Sequence, residues 1–121
     1  MRRALADAQV SPDEVSALVA HATATPKGDA AEIAAINAVY GKRRSPIAVT
    51  SLKGHLGHTG AASGAMGVIV AAHAMRTGSF PNIAGTRDVD PAAAFHVVTG
   101  RPLLLDVDVV QINAFGFGGQ D

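Results

Sequence analysis

"VSALVAHATATPKGDAAEIAAINAVYG", residues 15–41, decides the fold. Residues 15–23 are mostly apolar with no regular polar alternation, as in a strand covered on both faces of its sheet. "PKGD" (26–29) turns the chain. From Asp29 onward "DAAEIAAINAVYG" reads as a helix: Asp29 caps it, Glu32 sits three residues on, and Gly41 ends it. Its apolar positions Ile33, Ile36, Val39 and Tyr40 fall three or four apart. A buried strand feeding such a helix opens a crossover unit.

The pattern continues on both sides. Residues 1–9 fit a helix carrying Leu5, and Ser11-Pro12 signals a short turn with proline at its first position. "IAVTS" (47–51) is a short buried strand, and "KGHLGH" (53–58) is a glycine-rich loop. Residues 59–76 form a helix that is apolar almost all round, which predicts burial rather than a surface position. Gly60, Gly64 and Gly67 within it each cost roughly 1 kcal/mol against alanine, a cost tolerated where another backbone must come close. "GSFPNIAGTRDVDP" (78–91) is a long loop; 95–100 and 107–115 read as strands. Alternation of this kind predicts an α/β fold with crossover helices and a mixed sheet around a central buried helix. The chain reads as one domain over 1–121, and "GFGGQD" (116–121) ends it as if cut short at a final strand.

Composition narrows the function classes. Formal charge is zero, which gives no basic patch for nucleic acid and no lysine-rich stretch for anionic membrane. There is no cysteine, hence neither a disulfide framework nor a thiolate metal site. The first ten residues lack the apolar core of a signal peptide, and 61–75 is short for a membrane span and interrupted by Gly64, Gly67 and His73. The expectation is a cytoplasmic protein. His21, His55, His58, His73 and His96 show no zinc-type spacing, and no phosphate-loop pattern occurs.

Three segments could carry chemistry, each where an apolar strand runs into a loop, the edge at which open α/β sheets bind ligands. In 21–25 an extended backbone would put His21, Thr23 and Thr25 on one face. Taken alone, a histidine packed at a strand end is the plainer reading. In 51–64, His58 opens the apolar helix. The positive helix N-terminus and Lys53 both disfavour a second proton, leaving a neutral imidazole that can donate one hydrogen bond to a carbonyl oxygen. A helix cap is the alternative, and His55 reads as a solvated loop residue. In 113–119, "NAFGFGG", glycines around Phe117 allow a turn that aims backbone N–H groups at an oxyanion. Taken alone, a tight hairpin is the plainer reading of that segment.

Together the three resemble the C-terminal half of the condensing enzymes, the β-ketoacyl synthases of fatty-acid and polyketide assembly, a thiolase-like fold. That family has H-[GA]-T-x-T-x-x-G-D, then K-x-x-x-G-H followed by small residues, then N-[SA]-F-G-F-G-G. Residues 21–29, 53–58 and 113–119 supply these in order. The 78–91 loop also resembles the family's "G-x-x-P-x-x-N…DP" stretch, with the asparagine displaced.

The resemblance implies an acyltransferase. A cysteine in an N-terminal half accepts an acyl chain; a malonyl thioester is decarboxylated; the carbanion attacks the acyl-cysteine. It implies His21 and His58 as the histidines that bind the malonyl thioester carbonyl, and Lys53 as their electrostatic support. Thr23 and Thr25 would contact the phosphopantetheine arm of acyl carrier protein (or CoA), with no bound cofactor. Phe117 would complete the oxyanion hole through its backbone N–H, and Phe115 would line the acyl pocket. Implied partners are acyl carrier protein, the N-terminal ketosynthase half, and a second copy in a homodimer. The nucleophile-bearing half is absent, so the segment alone is expected to lack condensing activity. Many fatty-acid-type members carry a glutamate where this chain has Gly67, which leans the resemblance toward polyketide-type members. "HATAT" for the commoner "HGTAT" changes one small residue. A non-catalytic ketosynthase-like partner subunit or a pantetheine-binding half-domain is the alternative, although retention of both histidines and the lysine favours an active parent. A thiolase would need a second cysteine, and a serine hydrolase a G-x-S-x-G elbow; neither is present.

Overall fold

The computed structural model of the chain describes residues 1–116. Helix α1 (Arg2–Asp7) buries Leu5. A 3₁₀ turn (Pro12–Glu14) follows, closed by a capping box between Ser11 and Glu14. Strand β1 (Ala17–Val19) leads to α2 (Pro26–Tyr40), then β2 (Ala48–Thr50), a short helix α3 (Lys53–Leu56), a 3₁₀ turn (Gly60–Ala62) and α4 (Ser63–Thr77). The rest holds β3 (Ser79–Phe80), β4 (His96–Val97), β5 (Leu103–Leu104) and β6 (Val110–Ile112).

The main sheet has four strands in the order β4-β2-β1-β6, all parallel. Alternation along β1 and β2 explains its two coated faces. Leu18 and Val49 meet Ile36 and Tyr40 of α2, while Ala17, Val19 and Ala48 meet Ala74 of α4. The expected mixed sheet resolves into this parallel sheet plus a separate antiparallel pair, β3 with β5. Those strands are two residues each, too short to show a period in the sequence.

Two further expectations are corrected. Helix α2 starts at Pro26, not Asp29: Thr25 is the N-cap, and proline's fixed φ suits the first helical position. Asp29 falls in the first turn, where its Oδ1 accepts the Ala24 N–H at 3.1 Å. Helix α4 is not buried all round. Gly67, Ala71 and Ala74 form a stripe of small residues against the sheet, whereas Val68 and Ile69 are 59% and 62% exposed. The Val68 and Ile69 side chains lie off that stripe, exposed on the helix.

The small stripe has a geometric reason. A Cβ on Gly67 would lie 2.7 Å from Ile112 Cγ2 of β6, so the helix can approach that strand only as glycine.

Candidate active site

Parallel pairing determines where the site forms. Val19 of β1 is in register with Thr50 of β2 on one side and Ile112 of β6 on the other. The segments leaving the three strands therefore emerge side by side at one sheet edge, with that of β1 in the middle. His21 lies two residues past β1, Lys53 three past β2, and Phe115 three past β6.

The side chains converge accordingly. The His21 and His58 rings meet edge to face with centroids 5.6 Å apart, and the Phe115 ring lies 5.3 Å from His21. Lys53 Nζ donates to His21 Nδ1 at 3.5 Å, and the Phe115 backbone N–H donates to the same nitrogen at 3.3 Å. His58 Nδ1 accepts the Gly60 backbone N–H at 3.2 Å, with Ser63 Oγ at 3.5 Å. A ring nitrogen that accepts carries no proton, so each imidazole bears its hydrogen on Nε2. Burial, and then the Lys53 ammonium, hold His21 below the ordinary histidine value, against the opposing pull of Glu32. Burial also lowers Lys53, with Glu32 opposing.

The threonines are arranged differently from an extended strand. Ala22 and Ala24 have φ of 35° and 60°, so the backbone coils through the left-handed region, and the Thr23 and Thr25 hydroxyls come within 3.2 Å of each other. Thr23 lines a cavity of about 580 Å³ together with Lys53 and His58, and Ile36, Phe95 and Val97 are among its apolar walls. Thr25 caps α2 and is exposed. His55 is exposed, but it is tied down: its Nε2 donates to the Asn82 carbonyl at 2.7 Å, binding α3 to the 78–91 loop. Phe117 lies outside the described residues. Among the described residues, no three His, Asp or Glu side chains group as metal ligands, and no helix is long and apolar enough to cross a membrane.

One residue of the site escaped the sequence reading. Glu32, read as a capping partner, is instead buried beneath the His21 loop. Its Oε1 accepts the His21 N–H at 2.9 Å and the Asn113 Nδ2 at 2.9 Å, and its Oε2 accepts the Ala22 N–H at 2.7 Å. The signal was its spacing: Glu32, Ile36 and Tyr40 are the buried positions of α2, four apart. A carboxylate on the apolar stripe of a helix must find partners there.

Residues 1–87 match the family described as Beta-ketoacyl synthase, C-terminal domain. The chain is 38% identical over 121 residues to 3-oxoacyl-[acyl-carrier-protein] synthase I, chloroplastic, of Arabidopsis thaliana, covering all of this chain and 25% of that protein. It superposes on the ishigamide ketosynthase/chain length factor with a TM-score of 0.90 at 37% identity, over 98% of this chain and 29% of that one. It also superposes on a type II PKS acyl-carrier protein in complex with its ketosynthase bound to the hexaketide, with a TM-score of 0.82 at 26% identity, over 90% and 27% of the two chains. The chain thus spans less than a third of the length of these relatives. Taken with the three loops gathered at one sheet edge, the match over most of its length means that this chain belongs to the β-ketoacyl synthase family.

Proposed function

We propose that this chain is the C-terminal part of a condensing enzyme and supplies the groups that decarboxylate a malonyl thioester. The observation that carries the reading is the paired tautomer: both imidazoles accept backbone N–H groups at Nδ1 and present Nε2–H as donors. Two such donors meeting one thioester oxygen stabilise the enolate that forms as the C–C bond to CO₂ breaks. The enolate carbon then attacks an acyl-cysteine thioester carbonyl; a new C–C bond forms, and the cysteine leaves as thiolate. Burial, and then the Lys53 ammonium, favours the neutral His21 ring, so that it donates a hydrogen bond without giving up a full proton. Thr23 and Thr25 contact the phosphopantetheine arm of acyl carrier protein, Phe115 lines the acyl pocket, and the backbone N–H of Phe117 belongs to the oxyanion hole.

The cysteine comes from an N-terminal half outside this chain. The exposed apolar face of α4, with Val68 and Ile69, supports a covering layer of that kind, as does the greater length of the relatives. The complete enzyme is a homodimer in this reading, and the 121-residue segment alone does not condense.

The test is release of CO₂ from malonyl-carrier thioester by the intact condensing enzyme. His21→Ala and His58→Ala should each lower the rate by at least 100-fold, the scale of losing one oxyanion donor. Acyl transfer to the cysteine should survive. Full decarboxylation by either variant would overturn the reading.

A further inference from the structure

Glu32 does not stand alone beneath His21. It ends a file of buried polar side chains that begins at Tyr40, at the far end of α2. The Tyr40 hydroxyl donates to Gln111 Oε1, Gln111 Nε2 donates to Asn113 Oδ1 at 3.2 Å, and Asn113 Nδ2 donates to Glu32 Oε1 at 2.9 Å. Tyr40, Glu32, Gln111 and Asn113 are all buried.

The file has one possible direction. Glu32 as a carboxylate only accepts, so Asn113 must turn its amide nitrogen toward it. Asn113 then offers its oxygen to Gln111, and Gln111 offers its own oxygen to Tyr40. Tyr40 is the terminal donor. Burial pushes its phenol up to about 12, so it keeps that hydrogen. Neither Tyr40 nor Gln111 belongs to the segments that meet at the sheet edge.

We propose that Tyr40 and Gln111 are positioning residues for decarboxylation, acting on His21 through Asn113 and Glu32. The need for them is local. The His21 loop runs through left-handed φ at Ala22 and Ala24, a conformation that alanine holds only when its surroundings over-determine it. Glu32 grips the His21 and Ala22 amides in that conformation, and Asn113 fixes the oxygen that holds His21. Gln111 and Tyr40 set the amide orientation of Asn113 from behind. A buried chain of this kind costs desolvation at each member, and a leucine at 111 would pack among the same neighbours without it.

This inference rests on the proposed function, and the experiment separates the two. In the intact condensing enzyme, Tyr40→Phe and Gln111→Leu are compared with wild type in two half-reactions, malonyl-carrier decarboxylation and acyl transfer to the cysteine. The expected result is a roughly 10-fold lower kcat for decarboxylation, KM within twofold, and acyl transfer within twofold. The double variant should be no slower than Gln111→Leu, because both changes cut one file. Tyr40→Phe removes a single oxygen and keeps the test open if Gln111→Leu fails to fold. Unchanged decarboxylation in folded variants, or an equal loss in both half-reactions, overturns the positioning role. A wild-type enzyme that does not decarboxylate overturns the functional reading beneath it.

Discussion

Replacing Gly67 with alanine tests how α4 sets the height of β6. Helix propensity alone favours the change by about 1 kcal/mol at an interior position. Against it stands the new Cβ, 2.7 Å from Ile112 Cγ2 and 3.7 Å from Cγ1. Ile112 is β-branched and stiff, and its strand is held by pairing with Val19 and by the Asn113 N–H bond to the Val19 carbonyl at 2.8 Å. Overpacking of this kind costs about 1–3 kcal/mol. The net expectation is a loss of about 1 kcal/mol. Gly64→Ala is the control, since its Cβ would meet only Ala114 Cβ at an ordinary 3.7 Å. It should gain up to about 1 kcal/mol, less the discount for its place in the first turn. The two alanines should therefore move the urea midpoint in opposite directions at constant slope. In the double variant Gly67→Ala/Ile112→Ala, a coupling of about 1 kcal/mol should appear. Gly67→Ala stabilising the protein as much as Gly64→Ala would refute the close-approach reasoning.

Three further outcomes are expected. Ala22→Gly should stabilise the fold by about 0.5–1 kcal/mol, because φ of 35° strains alanine and not glycine; a lower melting temperature would contradict this. Folding lowers the pKa of His21, so its contribution to stability is full above the unfolded value near 6.5 and is lost as pH falls from there through the depressed folded value. Decarboxylation should follow the same limb, and Lys53→Met should move that limb to higher pH; an unmoved limb in a pH–rate profile would count against the Lys53 role. Glu32→Gln keeps one acceptor oxygen but sets an amide NH₂ against the Ala22 donor, or against the two donors on the other oxygen, so a loss of about 1–3 kcal/mol is expected in chemical denaturation, and a loss below about 0.5 would show that the carboxylate is dispensable.

The sequence carried the β1–α2–β2 order because that unit has clean signals, an apolar run and a terminal glycine, but the 53–58 segment expected as a loop forms α3 (Lys53–Leu56), and the long helix starts at Ser63 rather than at His58–Thr59. It also carried the convergence of His21, Lys53, His58 and Phe115, since parallel strands put their exits on one edge. It misled at α2, where Thr25-Pro26 begins the helix ahead of the acidic residue that looks like a cap. Burial of α4 was misjudged because uniform apolarity reports what a helix can be packed against, not whether this chain supplies the layers. The antiparallel pair β3–β5 and the Tyr40–Gln111–Asn113–Glu32 file were invisible for one reason. Both join residues from distant parts of the chain, and no local period records such a pairing.

That the His21 and His58 rings are both oriented by main-chain donors has a consequence for how the site can change. The amide hydrogens of residues 60 and 115 belong to the backbone, and at 115 the donor survives almost any exchange of side chain. Position 115 can take a different side chain, by selection or by an engineer, while His21 keeps its proton on Nε2. Only proline, which lacks that hydrogen, takes the donor away.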